Sequence, residues 1–345
     1  MKWVGIATAL ISFGTAIYQL AHAEGELRDR KRVFQERLTS GRAQWAAGDF
    51  ASAWDSFAHA DSAAAGDGLF AKLLGGLGAE QRQVRTAQQD LAMEWIRSSR
   101  VPEGGNFSAI TDKVTDVLAI GATSSGGARK ADLLAHLGWA YFLKQRDGDG
   151  NLRPDAEYRE AVAADALNPF ANVFWGHWIL WNHGLLKEAN ERFADALASG
   201  RARAEVRHFQ LAALANVRSE DADAAWLSVV SDMRKSGETL DAATREQIYT
   251  RYSMALDDDT LMQRLLAAVS PSLQVELQRL LLQSADLQDT HKLTLTAAMA
   301  VALEAVGQRE AALAAWRAVQ ADLKSQPGST LMARANAAVR RLGRP

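Results

Sequence analysis

The sequence predicts an all-α fold, a solenoid of helical hairpin repeats preceded by one apolar N-terminal helix. The first observation behind this is a recurring pattern. Leu137-Gly138-x-x-Tyr141, with Tyr158 and Ala161 behind it, returns as Trp175-Gly176 with Ala189, Phe193 and Ala196. Gly138 and Gly176 are 38 residues apart and Ala161 and Ala196 are 35 apart, close to the ~34-residue length of a two-helix repeat. The second is composition: 48% hydrophobic residues and only 6 prolines in 345 suit closely packed helices, and no segment shows the alternation of a strand. The third is the run from Trp3 to Leu20, which carries no charge.

Taken in chain order, that run comes first. About 18 residues at ~1.5 Å rise span roughly 27 Å, just enough for a bilayer's hydrocarbon core. Residues 1–23 are therefore expected to be a transmembrane anchor. The competing expectation is a cleaved signal segment, since Lys2 supplies a minimal positive start and Ala21-His22-Ala23 has the small residues of a cleavage site. Arg28, Arg30, Lys31 and Arg32 come directly after it, and a positive flank favours retention with the body on the inner side.

Residues 24–122 read as an N-terminal helical block. A charged helix over 24–47 leads to Gly48-Asp49-Phe50, a turn, and Ala53, Phe57 and Ala60 then recur on one face of a second helix. Gly41 sits where a neighbouring helix must come close. Glu80–Arg100 and Phe107–Ile120 read as two amphipathic helices joined by Val101-Pro102-Glu103-Gly104-Gly105. Residues 123–128, with Thr123-Ser124-Ser125-Gly126-Gly127, are expected to be a flexible joint. The remaining array, 129–345, opens with the two strong repeats at 131–168 and 169–200. Helices near 204–217 and 220–235 come next, and then helical patterns around 241–256, 259–269 and 272–284 that lack the glycine landmarks. Ala300, Gly307, Ala312, Trp316 and Val319 restore the signature, and Leu331–Leu342 reads as a capping helix.

The residues Leu137, Gly138, Tyr141, Tyr158 and Ala161, and again Trp175, Gly176, Ala189, Phe193 and Ala196, resemble the tetratricopeptide repeat (TPR) family. The resemblance covers 37–65, 131–200 and 290–326, and the whole chain looks like the membrane-anchored TPR proteins of bacteria. Two departures stand out: Ala166 occupies the position usually held by proline, and residues 145–154 insert extra loop. The resemblance implies a right-handed array of antiparallel helix pairs that binds an extended peptide or a partner protein on its concave face. By that resemblance the groove is lined by the first helix of each pair, at Arg42, Trp45, Trp139, Phe142, Val173, His177 and Trp181.

Chemistry is sparse. A formal net charge of −2 argues against a nucleic-acid binder, which shows a basic face. The absence of Cys removes disulfides, thiolate zinc sites and thiol nucleophiles. Trp139, Tyr141, Phe142, Phe170, Phe174, Trp175, Trp178 and Trp181 form a dense aromatic tract with His136, His177 and His183 among them, and most of such a tract must be core. Asp147-Gly148-Asp149-Gly150-Asn151 opens like a calcium loop, yet Leu152 stands where the sharp-turn glycine belongs and Tyr158 where the bidentate glutamate belongs. Asp257-Asp258-Asp259 suits a helix N-terminus, and Gly75-Gly76-x-Gly78 lacks the Lys-Ser or Lys-Thr of a phosphate loop. The sequence thus predicts a non-catalytic, cofactor-free adaptor, single-pass in a bacterial inner membrane through residues 3–20, with a cytoplasmic body that recruits a protein or peptide. The alternatives are a periplasmic TPR protein serving envelope or cell-wall assembly, and a calcium or small-molecule sensor using the 147–151 loop.

Overall fold

The computed structural model describes the backbone of residues 2–65, 75–99, 106–148, 151–217, 219–283 and 287–344, and side chains from Tyr18 onward in those ranges except at 259 and 290. Among the described residues there are sixteen α-helices and no β-strand. They are α1 (Lys2–Ala46), α2 (Phe50–Ala64), α3 (Gly78–Ser98), α4 (Ser108–Ser124), α5 (Gly127–Arg146), α6 (Asp155–Ala164), α7 (Pro169–His183) and α8 (Leu186–Ala198). Then come α9 (Arg203–Ala215), α10 (Glu220–Lys235), α11 (Ala242–Met254), α12 (Asp259–Ala268), α13 (Pro271–Leu282), α14 (Asp289–Ala305), α15 (Arg309–Asp322) and α16 (Thr330–Leu342). Two compact units divide the chain, Met1–Trp175 and Gly176–Pro345.

In the first unit α1 packs on α2, α2 on α3, α3 on both α4 and α5, α4 on α5, and α5 on α6. Contact with the next helix and the next but one is how stacked hairpins bury apolar faces that no single hairpin can cover. The close approaches lie where small residues permit them. A Cβ at Gly41 would stand 2.6 Å from the Phe57 ring, and one at Gly138 would stand 2.6 Å from the Tyr158 ring. Phe57, Tyr158, Ala53, Ala60 and Ala161 are all fully buried. The first hairpin turns at Gly48, whose φ of +79° a side chain would strain. Asp49 then caps α2 by accepting the Ser52 N–H at 3.1 Å. Ser125 and Gly126 alone separate α4 from α5, which pack on one another.

In the second unit α8 packs on α9, α9 on α10 and α11, α10 on α12, α11 on α13, and α13 through α16 each on the next. Gly176 repeats the close approach, with a hypothetical Cβ 2.7 Å from the Phe193 ring. Side-chain caps start most of these helices: Ser219, Asp241, Asp258, Ser270 and Ser329 each accept a backbone N–H three residues on. Asp258 therefore acts as a helix start within its acidic triplet. The far end is a core of Ala300, Ala312, Trp316, Val319, Met332 and Ala335, which α16 closes.

The expected anchor is corrected. Among the described residues no helix is long and apolar enough to cross a membrane, so the single-pass inner-membrane placement is withdrawn with it. The side chains of residues 1–17 lie outside those described. The basic cluster read as an inside flank has partners within the protein instead. Arg28 pairs with Glu24 at 2.9 Å and Arg32 with Glu36 at 3.2 Å along the helix. Arg30 donates to the carbonyls of Ala63 and Ala65, and Lys31 reaches Glu80 at 3.1 Å. These contacts tie α1 to the end of α2 and the start of α3.

Candidate functional site

The first helices of the hairpins in the first unit are joined by polar and aromatic contacts. On α3, Glu94 and Arg97 are three residues apart and flank the buried Trp95 and Ile96, so they lie at the border of core and solvent. There, Glu94 accepts the Trp45 indole N–H from α1 at 2.9 Å. Arg97, half-buried in the last turn of α3, reaches His136 of α5 at 3.1 Å and lies 4.6 Å over the Phe170 ring of α7. One guanidinium thus bridges three helices through a hydrogen bond and a cation–π contact.

His136 is fully buried. Its Nδ1 faces the Asp132 carbonyl oxygen at 2.6 Å. A carbonyl only accepts, so the proton sits on Nδ1, and Nε2 is the acceptor for Arg97. Burial, followed by the positive charge of Arg97, holds the imidazole well below its ordinary pKa of 6.5. The ring packs 4.9 Å from Phe170 and 5.4 Å from Phe174. Asn168 donates to the Asp132 carboxylate at 2.6 Å and accepts the Ala171 N–H, fixing the entry to α7.

The groove residues read from the sequence fall on both sides of this border. Arg42 is exposed and Trp45 half-buried. Trp139, Phe142 and Val173 are buried, with Trp139 4.9 Å from Phe142 and stacked 4.7 Å from Phe174. In the second unit His177 is buried, whereas Trp181 is 46% exposed. Glu94, Arg97, Asp132, Asn168 and Phe170 were not singled out by sequence reasoning as groove residues, and His136 stood there only as one of the histidines in the aromatic tract. The available signal was register: Arg97 and His136 are 39 residues apart, near the repeat length. The second unit uses the same device, since His208 of α9 and Gln247 of α11 are also 39 residues apart and meet at 3.1 Å.

Of the 147–151 loop, Asp147 has a partner elsewhere in the fold. The Asp147 carboxylate accepts the Phe107 N–H at the start of α4, and residues 149 and 150 lie outside those described. Among the described residues no group of three or more His, Asp or Glu is placed to hold a metal ion.

No family model matches the chain, and no curated protein is significantly similar. Among solved structures, one similar chain is described as "The hypoxic regulator of sterol synthesis Nro1 is a nuclear import adaptor". It superposes with a TM-score of 0.32 at 12% identity over 95% of this chain and 99% of that one. At that level the likeness says nothing about what this chain binds.

Proposed function

We propose that this protein is a TPR-type scaffold that holds a peptide or protein partner along the first-helix face of its first unit. The observation that carries the reading is Arg97, half-buried, held against His136 and over Phe170 across three first helices. Trp45 and Arg42 lie further along the same face on α1. Trp and Arg are the residue types that dominate binding energy at protein interfaces, because each offers a large contact area together with donors. The face is suited to binding rather than reaction, since the imidazole in it has both nitrogens engaged. Of the other groove residues, Trp139, Phe142 and Val173 are buried, and Trp139 stacks on Phe174, which packs against His136.

The test is selection of displayed random peptides on the full chain, with affinity then measured on the Trp45→Ala/Arg97→Ala variant. The expected outcome is a selected sequence class whose affinity drops roughly tenfold or more in the variant, with the thermal transition retained. Peptides that bind the variant equally well would remove the groove. Enrichment of no class would remove the scaffold reading.

A further inference from the structure

On another side of the first unit, α3 floors a pocket of about 230 Å³ between α2 and α4, lined by Asp61, Arg85, Gln88, Gln89, Val117 and Ile120. Gln88 stands in the core stripe of α3 between Val84 and Leu91, and is 9% exposed. A polar group at such a position is ordinarily paired. The other polar lining residues are: Asp61 and Arg85 pair at 3.0 Å, and Gln89 accepts from Arg129 at 2.9 Å. Gln88 makes no hydrogen bond among the described residues, and it lines the pocket. The opposite wall is apolar, with Ile120 65% exposed.

We infer that this pocket is a second anchoring site, which takes one aliphatic side chain of a partner polypeptide while Gln88 pairs with the partner's flanking backbone amide. Size and charge select that occupant. The volume holds several waters at ~30 Å³ each, but it falls below the ~300–1,000 Å³ of sites for small molecules and cofactors. The one ion pair in the lining is internally neutralised, so a charged side chain entering would have to compete with it, whereas an uncharged one leaves it intact. A carboxamide offers one donor and one acceptor side by side, which matches the N–H and C=O of a peptide backbone. Val117 and Ile120 then gain the apolar cover they lack.

The test titrates the full chain with N-acetyl-leucine methylamide, read by isotope-edited NMR at the Ile120 δ-methyl and the Gln88 side-chain amide. Expected are saturable shifts at both groups with a Kd of millimolar order, and none with N-acetylglycine methylamide, which lacks the side chain. Gln88→Leu should weaken binding roughly tenfold, the loss of a hydrogen-bonded contact, and Ile120→Asp, at an exposed position that does not endanger the fold, should abolish it. The Trp45→Ala/Arg97→Ala variant should bind the probe as the parent does, which separates this site from the first-helix face. Absence of saturation, equal response to the glycine probe, or undiminished binding in Gln88→Leu would each overturn the inference.

Discussion

A methyl group added at Gly138 would stand 2.6 Å from the Tyr158 ring, which is fully buried. Gly138→Ala should therefore destabilise, because overpacking costs about 1–3 kcal/mol and exceeds the gain of up to ~1 kcal/mol in helix propensity. Gly25→Ala is the control, with nothing within 4 Å of its Cβ, and should stabilise by roughly 0.5–1 kcal/mol. Denaturant unfolding of the two variants measures the contrast; equal signs would refute the close-packing role. His136 yields a prediction in pH. Its folded pKa is depressed by burial and by Arg97, so below about pH 6.5 the unfolded chain binds more protons than the folded one. Its contribution to stability is complete above that pH and is lost as pH falls toward the depressed value. The melting temperature should drop between pH 7 and 5, and the drop should be shallower in His136→Asn. The glycine and aromatic pairs were legible from sequence because each is a local steric necessity. The Arg97–His136 contact was not, because it depends on the register between two helices that are separated by a third.

At the scale of elements, Asp147 at the end of α5 serves as the missing cap of α4, accepting the N–H of Phe107 forty residues earlier. Asp147→Ala should cost about 1 kcal/mol, as loss of a capping carboxylate does, and fraying should concentrate in the first turn of α4. Hydrogen exchange at Phe107 and its neighbours would show it. If the change instead removed a thermal shift produced by calcium, the loop would be a cation site after all. Hairpin landmarks guided the sequence reading well where they exist: Gly48 and Gly307 both have positive φ at hairpin turns. From α9 to α13 Gly237 still turns the chain with positive φ, but no glycine stands inside a helix, and for this there is a physical reason. Trp226 of α10 is fully buried as Phe57 is, but the position sixteen residues before it holds Gln210, a buried side chain that accepts from Arg207 at 3.1 Å. A polar side chain thus stands at the spacing where Gly41 precedes Phe57, so the helix is visible in the sequence while its repeat character is not.

For the molecule as a whole, hydropathy of a short window misled where connectivity did not. Taken alone, the apolar run at the start of the chain has the look of a separate element. Yet α1 runs unbroken into the first hairpin, and its basic residues Arg30 and Lys31 are bound to α2 and α3. The repeated helix-on-helix contact order makes a stronger claim about energetics, namely that each hairpin draws its stability from adjacent helices. Trp316 tests it. The side chain is 1% exposed in the terminal core, and its indole donates to Glu304 at 2.7 Å. Trp316→Ala should cost roughly 3–5 kcal/mol, the range for removing a buried Trp, a large share of what holds α14, α15 and α16. In a chain governed by neighbour contacts that loss stays local: amide exchange should accelerate across α14 to α16 while α1 to α6 keep their parental protection. Uniform acceleration from α1 to α16 would mean that the whole chain unfolds as one cooperative body, and the stacked-hairpin account of its stability would fail even though every helix was in place.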